Sequence, residues 1–498
     1  MTDLRSIVIE GARRHSLGGL AVAVVRQGQP ATTECLGLAD RTTRRPVSPD
    51  TVFRIASISK TLTAVGLMQL HEDGLFGLDD PVNTYLKTFR VDSPPGAPEV
   101  TFRHLLTHTA GIGELPRVSD LVRRAASGMG RPGSPPADLA LLYAGSLRPE
   151  VAAGTKWAYA NHGFAVLGQL VEDISGDPFA SYMRDHVFDR LGMASTDYLR
   201  SERVAGKVAA GDHWILGQLR PVKDYDLGLL GPGSVLSSLG DMARYADWLV
   251  HPEAGDGARV LRPETLAEMM SPQFSPDPRI EGLGLAFFLD RFGEHRVVGH
   301  DGNVPGFASA LLVAPDDGVG VVVLTNTGTA IGAQLVAASL MRWVLGVEDP
   351  AAVLPKPEVA EIPHLWPELT GYYAPAPGFL TNLRTWLATG GEVEVTVRNR
   401  HLVLRALSPL PALRKGLRLH PIDETDPLLF AVNAEGLFVP VAFRRDEAGT
   451  VTVMCTGTPA LTTFHRRPAW RSSGLRVKAL SAAGLAATAY RRLRARRR

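Results

Sequence analysis

A serine and a lysine lie three residues apart where a segment of helical periodicity begins. Ser57 and Lys60 start the segment 57–73, whose apolar residues recur at helical spacing until Gly74 ends it. Because residues three apart share a helix face, we expect the Lys60 amine beside the Ser57 hydroxyl. A serine becomes a good nucleophile when a neighbour takes its proton, and a lysine made less basic by burial can do so or help a partner. The spacing therefore indicates nucleophilic chemistry, although such a pair also occurs by chance.

A tyrosine and an asparagine about 100 residues later directly precede another helical segment, residues 162–175. Near a lysine cation, Tyr159 would lose its proton more easily than free tyrosine and could serve as a general base. The Asn161 amide could orient the lysine or a substrate carbonyl. Taken alone, the tripeptide is more typical of a buried tyrosine followed by a capping asparagine.

A third polar group, Gly299-His300-Asp301-Gly302-Asn303, follows a predicted strand. Two glycines around a polar pair are typical of a strand edge that a ligand can approach closely. A lone histidine such as His300 is more often a hydrogen-bonded structural residue.

The surrounding elements predict how these groups are brought together. Strands are expected near both ends of this region, and helices in its middle, so one sheet can form from the ends beside a helical lobe. The predicted strands are 20–25, 31–38, 283–289, 295–299, 307–313 and 319–325. Besides the segments above, helices are predicted at 178–191 and 331–345.

The length of 498 residues predicts two or three domains. We expect a first domain at 1–348 and a proline-punctuated linker at 349–367. Short strands then predict a small antiparallel barrel or sandwich at 368–468. The tail, 469–498, is basic and could be solvated, or could contact an anionic membrane or an acidic carrier protein.

The composition is that of a globular protein, with 45% hydrophobic and 21% charged residues. A net charge of +2 gives no electrostatic argument for a nucleic-acid partner. Cys35 and Cys455 have no metal-ligand spacing and are expected to be ordinary thiols. With neither a secretory signal nor an apolar run of about 18 residues, a cytoplasmic protein without a transmembrane segment is expected.

The three polar groups, in this order, resemble the penicillin-recognising serine hydrolases, nearest to class C β-lactamases, CubicO-type proteins and related esterases. The segments 105–111 and 231–238 strengthen the resemblance, which covers roughly residues 5–345. It implies an α/β (α+β) fold, with a mostly antiparallel β-lactamase/transpeptidase-like sheet flanked by helices, a helical lobe and a second all-β barrel domain. The barrel is similar to the lipocalin-like C-terminal domain of some CubicO-type proteins.

The resemblance also implies a role for each candidate residue. Ser57 would be acylated, Lys60 and Tyr159 would handle its proton, and Asn161 would contact lysine and substrate. The oxyanion hole would use the N–H groups of Ser57 and Asn303. His300, with Gly302 two residues on, stands where most β-lactamases have the lysine of Lys-Thr-Gly.

A histidine followed by an aspartate would bind a penicillin carboxylate poorly, so the expected activity is hydrolysis of an ester, thioester or amide rather than efficient β-lactamase action. One alternative is an acyltransferase or peptide cyclase of the penicillin-binding-protein-type thioesterase kind, which releases a carrier-bound peptide. Another is an inactive binding protein. The sequence contains neither a Gly-x-Ser-x-Gly elbow nor a zinc, phosphate or dinucleotide motif, so no cofactor or metal is implied.

Overall fold

The computed structural model describes residues 3–122, 128–253, 260–329, 331–348, 359, 361–434, 436–458 and 460–472. The chain forms two compact units, of which the first comprises Met1–Ser275 and Glu281–Asp349. The second comprises Pro276–Ile280 and Pro350–Arg498. Among the described residues, no helix combines the length and apolarity needed to cross a membrane.

The described part of the first unit contains both helices and strands. The helices are α1 (Leu4–Arg14), α2 (Ser59–Glu72), α3 (Phe102–Leu106), α4 (Leu139–Tyr143), α5 (Asn161–Ser175), α6 (Phe179–Met183), α7 (Leu230–Gly233), α8 (Leu239–Val250), α9 (Pro263–Met269) and α10 (Gly332–Leu345). The strands are β1 (Gly19–Arg26), β2 (Gln29–Asp40), β3 (Arg45–Pro46), β4 (Val52–Arg54), β5 (Arg90–Val91), β6 (Met129–Gly130), β7 (Ser146–Leu147), β8 (Asp212–Ile215), β9 (Gln218–Pro221), β10 (Asp226–Leu227), β11 (Leu236–Ser238), β12 (Phe288–Phe292), β13 (His295–Val304), β14 (Phe307–Ala314), β15 (Val319–Thr325) and β16 (Thr327–Gly328).

The main sheet of the described first unit is antiparallel, with strand order β12-β13-β14-β15-β1-β2-β3. Strands β1 and β15, from opposite ends of the unit's sequence, pair from Leu20 opposite Thr325 to Arg26 opposite Val319. The expected sheet built from both ends is therefore confirmed.

Both faces of this sheet are covered, because successive side chains of β1 point to opposite sides. On one face, Leu20, Val22 and Val24 pack in a cluster with residues of α1 and α10. On the other face, Ala21, Ala23 and Val25 join a larger cluster that includes residues of α2, α5 and α8.

Helix α2 lies in the interior, packed against α5 and α7. Every residue from Ser59 to Leu70 is buried, including Lys60. A charged side chain in such a position requires polar partners, because its removal from water is costly.

Three predicted elements are wrong in their extent. The expected strand 283–289 begins only at Phe288, because the left-handed φ of +68° at Ala286 interrupts the extended backbone and leaves Leu283 as an isolated β-bridge. The expected strand 295–299 continues to Val304 as β13, so the polar group 299–303 lies within this strand and does not follow it. The expected helix 178–191 is α6 followed by a π-helical turn, Arg184–Phe188.

The described residues of the second unit form a nine-stranded antiparallel sheet with order β20-β19-β18-β17-β25-β24-β23-β22-β21. Its strands are β17 (Gly371–Pro375), β18 (Val393–Arg398), β19 (His401–Ala406), β20 (Leu417–Arg418), β21 (His420–Pro421), β22 (Leu429–Ala434), β23 (Leu437–Arg445), β24 (Val451–Thr456) and β25 (Thr463–Arg467). The helices described there are α11 (Trp366–Leu369), α12 (Leu383–Thr389) and α13 (Pro411–Lys415).

This sheet curls into the expected all-β barrel, nearly closed because its end strands, β20 and β21, are separated only by Leu419. Large side chains such as Tyr373, Phe430 and Phe443 fill its core. Much of the predicted linker, and the tail beyond Ser472, lie outside the described residues.

Candidate active site

The candidate nucleophile lies at a tight turn between a strand and a buried helix. Strand β4 leads into a 3₁₀ turn, Ala56–Ile58, and then into α2. Ala56 has a φ of +48°, in the left-handed region that a residue with a Cβ rarely adopts. The Ser59 hydroxyl donates to the Ala56 carbonyl at 2.6 Å and accepts from the Val235 N–H at 3.1 Å. The turn is therefore fixed from both sides, with Ser57 half-buried on it.

Lys60 is fully buried and meets three acceptors. Its Nζ lies 2.9 Å from Asn161 Oδ1, 2.7 Å from the Pro232 carbonyl oxygen and 3.0 Å from Ser57 Oγ. Two N–H groups can donate to Asn161 and Pro232 in either protonation state of the amine. The third position, toward Ser57, then holds either an N–H or a lone pair. The geometry thus permits a proton to pass between Ser57 and Lys60.

Tyr159 lies against the same ammonium, with Lys60 Nζ 4.8 Å from the centre of its ring. This contact brings the lysine charge near the tyrosine for which a proton-transfer role is predicted. Asn161 is the first residue of α5, so the start of this helix fixes the lysine's amide partner.

His108 organises the loop that carries Tyr159, a role that the sequence analysis did not assign. Its ring stacks at 4.4 Å from the Tyr159 ring, tilted by 30°. The His108 carbonyl accepts from the Ala158 N–H at 2.8 Å, and His108 Nδ1 accepts from the Ala160 N–H at 3.1 Å. In the neutral ring this leaves the proton on Nε2. The only sequence signal was its place in the segment 105–111.

Glu114 is a second residue that the sequence analysis missed. Its Oε1 lies 3.5 Å from the amide nitrogen of Asn161, Nδ2. The amide oxygen of Asn161 is the atom that accepts from Lys60. The carboxylate therefore selects the amide orientation in which the oxygen faces the lysine.

The edge of β13 forms the wall opposite the nucleophile turn. Strand β12 pairs with β13 only as far as Gly299, opposite Phe288, whereas β14 pairs along its other edge to Val304. A Cβ on Gly302 would lie 2.3 Å from the Ile55 carbonyl oxygen and 2.9 Å from the Ala56 Cβ. Only glycine lets the strand approach the turn this closely. Asn303 follows on the same edge, and its side-chain amide donates to the Thr329 carbonyl.

His300 is buried, with 4% of its surface exposed, and its Nδ1–H donates to the Asp301 carbonyl oxygen at 2.6 Å. Burial, and secondly the positive charge of Lys60, lower the pKa of His300 to about 3. At neutral pH the ring is therefore uncharged, with a lone pair on Nε2. Its centre lies 6.3 Å from that of Tyr159, so a neutral group occupies this side of the site.

The structure thus gathers the candidate residues around one point. Ser57, Lys60 and Asn161 form a hydrogen-bonded chain, Tyr159 covers the lysine, and the β13 edge with His300, Gly302 and Asn303 faces the turn. Such an arrangement can supply a nucleophile, a proton acceptor and a backbone edge for a substrate carbonyl. The individual catalytic roles stay predictions.

Comparison with known proteins gives the same family as the resemblance. A family model described as Beta-lactamase matches residues 4–342. Esterase EstB of Burkholderia gladioli is 33% identical over 232 residues, which cover 45% of this chain and 57% of that protein, less than two thirds of its length. Penicillin-binding protein 4 of Amycolatopsis lactamdurans is 30% identical over 333 residues, covering 64% of this chain and 82% of that protein.

A solved structure shares the fold over nearly the whole chain. The octameric penicillin-binding protein homologue from Pyrococcus abyssi has a TM-score of 0.59 and 23% sequence identity, covering 93% of this chain and 99% of that chain. At this identity the likeness concerns the fold alone.

Proposed function

The chain belongs to the β-lactamase family of serine hydrolases, and from this premise we propose that it hydrolyses a neutral ester through an acyl-Ser57 intermediate. Thioesters and amides are the related acyl substrates of the same chemistry. The burial of His300, which lowers the pKa of its ring to about 3, is what carries this choice of substrate.

Acylation follows from the contacts of Ser57. Its Oγ attacks the substrate carbonyl carbon as the hydroxyl proton passes either to the uncharged amine form of Lys60, 3.0 Å away, or to the phenolate form of Tyr159 beside a charged Lys60. Collapse of the tetrahedral intermediate breaks the bond to the leaving alkoxide, which takes up this proton. The backbone N–H groups of Ser57 and Asn303 are the donors proposed for the oxyanion. Water then attacks the acyl carbonyl carbon and gives a proton to the same base. The bond from this carbon to Ser57 Oγ breaks, the base returns the proton to Oγ, and the acid is released.

The preference for neutral substrates rests on the charge opposite Ser57. A penicillin or cephalosporin carries a carboxylate, which gains most from a cation or a charged donor. His300 stays uncharged at neutral pH because burial and Lys60 lower its pKa to about 3. A neutral ester needs no such cation.

The test compares kcat/KM for a p-nitrophenyl ester of a short acid with that for a chromogenic cephalosporin. We expect the ester to be the better substrate and the acyl group to be found on Ser57 by peptide mass mapping. Ser339→Ala serves as the matched control, because it removes an exposed hydroxyl of α10 that bonds within its own helix, and this variant should still carry the adduct at Ser57. A faster reaction with the cephalosporin would contradict the proposal.

Transfer of the acyl group to an amine or alcohol is the alternative fate of the same intermediate. Product analysis of the ester reaction, with and without added amine, separates the two. Amide formation that outcompetes acid release in dilute amine would make the chain an acyltransferase. A peptidyl thioester on a carrier protein would then be the next substrate to examine.

A further inference from the structure

The hairpin of strands β8 and β9 has a leucine, Leu216, at a turn position where a leucine is unfavourable. Ile215 pairs with Gln218, so the turn consists of Leu216 and Gly217, with φ values of +50° and +73°. Positive φ at both central residues defines a type I′ turn, in which Asn-Gly or Asp-Gly is the usual pair. A leucine at this position strains the backbone, and the fold itself gains nothing from it.

The tip of the hairpin also exposes its apolar side chains. Leu216 is 99% exposed, Ile215 52% and Trp214 41%. The Trp214 ring is nevertheless held in place, because its Nε1–H donates to the Ser16 carbonyl at 2.9 Å. Three consecutive large apolar residues are therefore exposed at the end of a short hairpin, and we call these residues the hairpin tip.

Arginine side chains lie on the hairpin and on the segments that contact it. Ser16 follows the last turn of α1, where Arg13 and Arg14 are both exposed. On β9, Arg220 is exposed, and the Arg41 guanidinium donates to the Leu219 carbonyl at 3.3 Å. The carboxylate at the base of the hairpin, Asp212, is largely buried and lies 3.4 Å from Arg41.

We propose that the hairpin tip inserts into the surface of an anionic lipid bilayer. An aromatic and two aliphatic side chains beside exposed arginines are the composition of an interfacial membrane contact, in which the apolar groups enter the acyl boundary and the cations bind lipid phosphates. A protein partner fits less well, because the apolar area that three residues expose is far smaller than the area that a stable protein interface buries. The strain at Leu216 is then the cost of keeping an apolar residue at the point of insertion.

Co-sedimentation of the full chain with vesicles tests this inference. The protein should bind vesicles of phosphatidylcholine with phosphatidylserine, and bind more weakly to phosphatidylcholine alone or in high salt. Leu216→Asn restores the usual Asn-Gly turn, so the variant should fold at least as well as the parent. Its partition coefficient onto the anionic vesicles should fall by about tenfold, since an aliphatic side chain is lost from the bilayer.

Leu141→Asn is the matched control. Leu141 is 79% exposed on α4, outside the hairpin, and its replacement should leave vesicle binding unchanged. Both variants keep the basic tail, so any tail binding cancels in the comparison. Equal binding of anionic vesicles by Leu216→Asn and by the parent protein would overturn the proposal. Failure of the parent protein to bind anionic vesicles would overturn it as well. Loss of a dimer in Leu216→Asn, without any vesicle binding by the parent, would assign the tip to a contact between copies instead.

Discussion

Replacement of Gly302 by alanine tests whether the close approach of β13 to the nucleophile turn matters for catalysis. The new Cβ would lie 2.3 Å from the Ile55 carbonyl oxygen and 2.4 Å from Ser309 Oγ. These two atoms are already joined by a hydrogen bond of 2.8 Å, so neither can simply swing away. The strand and the turn must separate by about 1 Å to restore ordinary contact distances.

A displacement of this size between a nucleophile and the groups that face it costs about 100-fold in rate. We therefore expect Gly302→Ala to lower kcat/KM for a p-nitrophenyl ester by about 100-fold, chiefly through kcat. Single-turnover acylation, followed by release of p-nitrophenol, measures this directly. Circular dichroism and thermal unfolding of the same samples report whether the fold is retained.

Gly320→Ala provides a control for strain in the same sheet. Its Cβ would lie 2.7 Å from Val25 Cγ2 on the neighbouring strand β1, so we expect a loss of stability of about 1–3 kcal/mol. Acylation should be unchanged because the Ser57 turn does not move. The reasoning is refuted if Gly302→Ala acylates at the parent rate, or if both variants lose activity in proportion to their loss of stability.

Four further changes test the site and its electrostatics. Ser57→Ala should abolish turnover and the acyl adduct while keeping the fold, and an adduct seen on this variant by intact mass would make the nucleophile wrong. Tyr159→Phe should slow acylation by about 100-fold, the scale of a lost general base, and a near-normal single-turnover rate would assign the proton to Lys60 alone. His300→Lys should raise kcat/KM for a cephalosporin relative to a neutral ester, whereas an unchanged ratio would contradict the argument from the neutral histidine. Burial lowers the pKa of His162 to about 4, so as the pH falls below about 6.5 the unfolded chain binds a proton before the folded chain does, and the free energy of unfolding should decrease. Urea unfolding across this pH range should show a smaller decrease in this free energy for His162→Gln than for the parent.

The sequence predicted correctly those helices and strands that have a clear hydrophobic periodicity and a glycine turn beside them. Helix α5 was expected at 162–175 and spans Asn161–Ser175, because an apolar stripe runs until Gly176 adopts a φ of +83°. Strand β15 was expected at 319–325 and spans those residues, after Gly318 closes the preceding turn. The strand expected at 283–289 was misplaced because the apolar run there is buried as irregular backbone. Burial alone does not distinguish such a run from a strand.

For the site, the sequence could place residues close in the chain but not the partners that the fold brings from elsewhere. Ser57 and Lys60 meet because three residues make nearly one helical turn. The Lys60 contact with Pro232 uses a backbone carbonyl, which any residue type could present, so no side-chain signal marks it. Glu114 and Asn161 are joined only through the packing of the loop after α3 on the start of α5, and no local spacing encodes that.

Three non-glycine residues with left-handed φ differ in what holds their backbone in this conformation. Ala56 is held in this conformation by a hydrogen bond from the Ser59 hydroxyl. His108 is held by hydrogen bonds from the backbone N–H groups of Ala158 and Ala160. Their strain is held by the surrounding structure and fixes the nucleophile and the Tyr159 loop. Leu216 has the same backbone strain, but its side chain is almost fully exposed. Since no packing compensates for the strain there, the proposed contact with a lipid surface would supply the physical reason for a leucine at that turn.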